Sequence, residues 1–164
     1  MNLYLCGFQG VGKSYFGKMV SQALKRPFFD LDALLLRQFD SVDIRSLWLK
    51  VGQAEFRHAE EKELHTLSNE QNGAIISLGG GALESRNNQM AVAKGCLIYL
   101  FTPKNEVQKK IEAAKDPPPY LDAYDSFDQF FDSRHLTFLE AANKVIKVKS
   151  SDITIKEIID YALK

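Results

Sequence analysis

The 164-residue chain is poor in cysteine, has no surplus of charge of either sign, and contains no long hydrophobic run. Its two cysteines, Cys6 and Cys96, each lie inside a short apolar stretch. Two such thiols exclude a disulfide framework and read as small core hydrophobes in a reducing compartment. Lys and Arg total 21, as do Asp and Glu, so the charges cancel. General binding to nucleic acid or to an anionic membrane normally needs a basic excess, so neither is expected. No apolar run approaches the roughly 18 residues that span a bilayer. The opening Met1-Asn2-Leu3-Tyr4-Leu5-Cys6 has neither the basic start nor the apolar core of a secretory signal, which predicts a cytoplasmic protein. There is no internal repeat and no low-complexity segment. With 45% apolar and 26% charged residues the composition is that of a globular domain, and the length predicts one.

What is present is alternation. Short apolar runs at 2–6, 27–30, 74–78, 96–101 and 145–148 predict buried strands. Amphipathic stretches between them predict helices at 13–24, a pair between 31 and 71, then 85–94, 104–115 and about 127–143. A last helix is expected from Thr154, where Thr154-Ile155-Lys156-Glu157 has capping-box spacing. Strands alternating with helices imply right-handed βαβ units and a mostly parallel sheet covered on both faces. Ligands of such sheets gather beyond the carboxyl ends of the strands. Residues 116–122 break the rhythm: Pro117, Pro118 and Pro119 predict a stiff loop on that side, not a helix.

Gly7-Phe8-Gln9-Gly10-Val11-Gly12-Lys13-Ser14 matches the phosphate-loop pattern G-x-x-x-x-G-K-[ST] at every position, with a strand before it and a helix after it. Gly7, Gly10 and Gly12 let the backbone turn and aim its N–H groups at phosphate oxygens. The following helix adds its positive end. Lys13 places a cation on the β- and γ-phosphates, and Ser14 offers a hydroxyl to Mg²⁺. Val11 and Tyr15 complete the expected nucleotide-binding set.

The acceptor side is written in weaker signals. Asp30 and Asp32 end the second strand; they suit a Mg²⁺ shell and a substrate hydroxyl, or equally a helix N-cap with a solvated neighbour. Arg57 and Glu60 share one helical face. An arginine there suits a small carboxylate, although an exposed ion pair has the same spacing. Gly79, Gly80 and Gly81 close the third strand; a run of glycine makes sense where a ligand approaches the backbone. Arg134 opens a late helical segment. His58, Glu61 and His65 read as a solvated face, Trp48 as core or cavity wall, and the lysines of 104–115 as a solvated face.

In order and separation, the strand and phosphate loop, F-x-D-x-D, G-x-x-x-F-R-x-x-E, L-G-G-G, a prolyl lid and R-x-x-x-aromatic together resemble the shikimate kinases over essentially the whole chain. The resemblance implies an α/β, three-layer P-loop NTPase fold with a five-stranded parallel sheet, a helical substrate-binding insert at about 31–60 and a mobile lid at about 108–122. It implies transfer of phosphate from ATP to the 3-hydroxyl of shikimate on the route to chorismate, by a monomer. On that resemblance Asp32 holds the ring hydroxyls, Arg57 and Arg134 grip the carboxylate, and Glu60 orients Arg57. Gly79, Gly80 and Gly81 pass backbone groups to the ring, while Asp30 and Ser14 serve Mg²⁺. The sequence departs from the family pattern at Gln53 (usually Glu), at Phe138 (usually Tyr) and at Pro118, where the lid arginine stands in R-P-L-L. Lys115, with Lys110 and Lys109 nearby, is then the expected substitute, giving a catalytic set of Lys13, Asp32 and Lys115. Two other readings share the phosphate loop: a gluconate or nucleotide kinase, which needs no carboxylate clamp, and a nucleotide-binding regulator without catalysis.

Overall fold

A computed structural model describes all 164 residues. Five parallel strands stand in the order β2-β3-β1-β4-β5, with β1 Leu3–Cys6, β2 Phe28–Asp30, β3 Ile75–Ser77, β4 Cys96–Phe101 and β5 Lys144–Lys147. The register pairs Leu3 with Ile75 and with Cys96, and Phe28 with Ile75. Every residue of β1 and β3 is buried, as expected for parallel strands covered on both faces. Helices α1 Lys13–Leu24, α5 Arg86–Val92, α6 Lys104–Glu112, α7 Phe127–Ala141 and α8 Ser151–Ala162 cover the sheet around one large apolar core. Gly17 lets α1 sit tightly on β2: a Cβ there would lie 2.5 Å from the Phe28 ring. No helix is long and apolar enough to cross a membrane. Both cysteines are free, and burial pushes the Cys6 thiol up, so it stays a neutral core group.

Between β2 and β3 the chain forms three helices where the periodicity predicted a pair: α2 Leu31–Gln38, α3 Ile44–Val51 and α4 Gln53–Glu70. The extra break is Gly52, whose φ of 84° ends α3 and starts α4 in a conformation few other residues adopt. These helices carry a small core of their own, Leu35, Leu47, Phe56 and Ala59. The proline run holds a second difference. A 3₁₀ turn spans Pro119–Ala123, because proline is tolerated in a first helical turn whose N–H groups have no partner anyway. The third is at α8, which begins at Ser151. Thr154 is fully buried and its Oγ1 accepts from Lys149 N at 3.0 Å, so it ties the exit of β5 to the helix instead of capping it.

Candidate active site

The loop from Gly7 to Gly12 leaves β1 and turns into α1. Gly12 has φ 100°, and a Cβ there would meet the Phe16 ring at 2.8 Å, so only glycine fits. Phe8 anchors the loop from below, stacked on Phe131 at 4.7 Å and edge-on to Phe130 and Phe138. Phe138 is therefore a core ring. Lys13 Nζ donates to the Gly7 and Phe8 carbonyls, both at 2.9 Å. Burial lowers its pKa, while Asp32, Cys6 and Asp30 pull the other way.

Beside the loop opens a cavity of about 320 Å³ at the carboxyl ends of the strands. Gly10, Gly12, Lys13, Ser14 and Tyr15 line it, whereas Val11 is buried in the core and Gly7 lies against Leu100 O. Asp30 does both things its sequence position allowed. Its Oδ1 accepts from Ala33 N at 3.1 Å and caps α2, while its Oδ2 accepts from the Ser14 hydroxyl. Ser14 and Asp30 thus present adjacent oxygens next to the loop. A divalent ion that keeps waters and phosphate ligands needs no more protein ligands than that.

Asp32, two residues on, points into the cavity, and its carboxyl is pushed up to about 7. Burial is the main cause, with repulsion from Glu60 and Asp30; Lys13 and Arg57 offset part of it. A carboxylate poised there accepts a proton near neutral pH. The three glycines run past these groups in close contact. A Cβ on Gly79 would lie 2.7 Å from Asp32 Oδ1 and 2.9 Å from Glu60 Oε1. One on Gly81 would collide with Arg57 Nη2 and lie 2.7 Å from Arg134 Nη1. Arg57 from α4 and Arg134 from α7 therefore converge on one point.

Neither arginine belongs to a solvated face. Arg57 Nη1 meets Glu60 Oε2 at 2.6 Å, and Glu60 is only 1% exposed. Burial raises the Glu60 pKa and Arg57 opposes it. Arg134 is 2% exposed and donates Nη1 to Gly80 O at 2.7 Å. Its Nε stands 3.4 Å from Glu84 Oε1 without hydrogen-bond geometry, leaving a buried donor free. Aromatic faces complete the wall: Trp48 lies 5.1 Å from the Arg57 guanidinium, and the Tyr120 ring 4.2 Å from that of Arg134. A partly buried and a fully buried guanidinium thus meet at Gly81, with Glu60 paired to the first and one donor of the second free, an arrangement suited to an anion.

Two residues of this site were not expected from sequence. Tyr120 covers both arginines, and burial pushes its phenol up to about 12. Arg45, in the first turn of α3, lines the cavity, with Nη1 3.5 Å from Pro117 O and Nη2 3.5 Å from Asp122 Oδ2. Its spacing of three from Trp48 is the signal that could have revealed it. Lys115 behaves otherwise. Its side chain is exposed and lies outside the cavity lining, which its neighbour Asp116 reaches instead. Asp116 O accepts from Gln9 of the phosphate loop at 2.9 Å. The Lys110 stem packs 3.4 Å from the place of a Gly10 Cβ, also outside the cavity. His58, Glu61 and His65 form no metal cluster, and Glu61 instead accepts from Ser85 and Asn87. His135 Nδ1 lies 2.9 Å from the Tyr99 hydroxyl, and burial lowers its pKa.

The chain is similar to known proteins over nearly its whole length. A shikimate kinase from Sulfurihydrogenibium sp. is 29% identical over 99% of this chain and 95% of its own length. One from Aquifex aeolicus is 30% identical over 97% and 94%. The structure of a shikimate kinase from Acinetobacter baumannii in complex with shikimate superposes with a TM-score of 0.86 at 25% identity, covering 99% of this chain and 92% of that one. The family model for shikimate kinase matches residues 9–164, a stretch that holds most of the phosphate loop, the acidic strand end, the glycine run and both converging arginines, and so the chain belongs to the shikimate kinase family.

Proposed function

We propose that the protein transfers the γ-phosphate of ATP to the 3-hydroxyl of shikimate, giving shikimate 3-phosphate and ADP. The observation that carries this reading is the convergence of Arg57 and Arg134 on one point at Gly81, with Asp32 at Gly79 and the phosphate loop beyond it. A carboxylate held by two guanidinium forks turns the rest of a small ring toward Asp32. The hydroxyl oxygen bonds to the γ-phosphorus, the bond from that phosphorus to the β–γ bridging oxygen breaks, and ADP departs with the electron pair. The hydroxyl proton goes to Asp32, whose raised pKa suits it to receive one.

Lys13 exchanges two loop carbonyls for phosphate oxygens. Ser14 and Asp30 are the oxygens that would hold Mg²⁺, which when bound neutralises charge on the β- and γ-phosphates. Residues 31–60, with their own small core, act as the substrate-binding insert, and residues 108–122 act as the lid of a single kinase domain. We propose a cytoplasmic monomer; the balanced charge supports a protein that uses neither nucleic acid nor an anionic membrane.

A coupled ADP-release assay tests the reading against shikimate, gluconate, nucleoside monophosphates and no acceptor. ADP release that depends on shikimate is expected. Release that ignores shikimate, or that follows gluconate or a nucleotide, would refute it.

A further inference from the structure

We infer that Arg45 is a catalytic residue: its guanidinium, carried on the insert helix α3, is the second cation that meets the transferring phosphoryl group. The inference rests on the reading of the site as an ATP-dependent kinase. Phosphoryl transfer spreads negative charge over three oxygens, and a loop lysine is commonly joined there by an arginine. No arginine occurs between Arg86 and Arg134, so residues 108–122 have none to give. Lys13 and Arg45 are the two cationic side chains that line the cavity. Asp30, Asp32 and Asp116 line it too. Without Arg45, three acidic residues would face one lysine where a polyphosphate has to sit.

The other arginines of the site are committed. Arg57 is paired with Glu60 at 2.6 Å, and Arg134 is bonded to Gly80 O at 2.7 Å. Arg45 is not. Its two contacts are both 3.5 Å long, and Asp122 is 76% exposed, so water can replace it at little cost. The base of the side chain is nonetheless firm. Asp43 caps α3 by accepting from Ser46 N at 2.7 Å and from Ser46 Oγ at 2.9 Å. A fixed backbone with a loosely held planar fork is what a group needs if it is to exchange two protein oxygens for two phosphoryl oxygens. Pro117 and Asp122 belong to the proline-rich segment, so that segment aims the arginine but does not carry it.

The test uses two readouts. The first is kcat with shikimate. The second is affinity for ADP alone against ADP with aluminium fluoride, a mimic of the transferring phosphoryl group that needs no knowledge of the acceptor. Arg45→Ala should lower kcat by about 10²–10³-fold and weaken the aluminium fluoride complex by a similar factor. Affinity for ADP alone should stay within threefold. Arg45→Lys should fall between, and tens of millimolar guanidinium ion should restore part of the Arg45→Ala rate. Arg45→Gln keeps a polar, helix-compatible side chain without the charge or the fork, and should lose as much as Ala; it serves if the Ala variant fails to fold. An Arg45→Ala kcat within threefold of wild type would overturn the inference, as would equal losses for ADP with and without aluminium fluoride. A loss of that size in Lys115→Ala, with Arg45→Ala active, would return the role to the lid lysine. Wild-type protein that ignores shikimate would instead remove the proposed function, while the aluminium fluoride arm still decides on Arg45.

Discussion

Asp32→Asn should make the protein more stable while abolishing turnover. The carboxyl of Asp32 is pushed up to about 7 by burial and by the charges of Glu60 and Asp30. In the unfolded chain it titrates near 3.9. Between those values the folded state holds a proton that the unfolded state has released, so stability falls as pH rises through the window. At about 1.36 kcal/mol per pH unit the full cost approaches roughly 4 kcal/mol above pH 7. Asparagine keeps the shape and never ionises, so it escapes that cost. For a chain of this size 1 kcal/mol moves Tm by about 2–4 °C, so the variant should melt roughly 8–16 °C above wild type at pH 8. At pH 4.5, just above the unfolded value, the cost shrinks to about 1 kcal/mol and the difference in Tm should fall to roughly 2–4 °C. Thermal melts without ligands at the two pH values read this directly. A Tm difference that does not change with pH, or a variant that melts lower at pH 8, would refute the account of Asp32 as a carboxylate held under electrostatic strain.

The same titration should shape the rate: kcat/KM for shikimate should rise through a pH near 7 as Asp32 loses its proton, and a flat profile from pH 5 to 8 would remove Asp32 as the base. Lys13→Ala should leave the fold intact by circular dichroism and abolish turnover, the loss being several kcal/mol of charge stabilisation; a rate within tenfold of wild type would contradict the phosphate-loop role. Arg57→Ala and Arg134→Ala should each weaken shikimate binding by roughly 2–5 kcal/mol with ATP affinity within threefold, as read by calorimetry, whereas equal losses for both ligands would assign the arginines to folding. Arg57→Ala should also cost stability, because it strands Glu60 at 1% exposure without its partner.

The strands and the phosphate loop could be read from the chain because their signals are local: an apolar run, a glycine spacing, a cap. The three-helix insert could not, since one glycine at position 52 can sit inside a helix or break it, and only the packing of Leu47 against Phe56 decides. Thr154 misleads for a related reason. Its capping pattern is genuine, but the hydroxyl is taken by Lys149 N of the preceding turn. Long-range contacts explain the rest. Arg45 meets Pro117 across 72 residues of chain and Arg134 meets Gly80 across 54, and no window of sequence contains either pair. On the linear chain Lys115 is the natural lid cation, yet it is exposed and stands outside the cavity, whose lining takes in its neighbour Asp116.

Phe8 stacks flat on Phe131, and Arg134 stands one helical turn beyond Phe131 on α7. On the proposed reading, the loop that would hold phosphate and one of the arginines that would hold the acceptor are joined by a short aromatic bridge that runs outside the proline-rich segment. The separation of the phosphate loop from Arg134 is then set by ring packing and not by that segment. A single molecule carrying a phosphate mimic at one end and a carboxylate at the other could use that constancy. With a stiff linker cut to the span, its second end would bind at an effective concentration in the millimolar range. With a linker too short for the span it would gain little over its halves, because its second end could not reach its site.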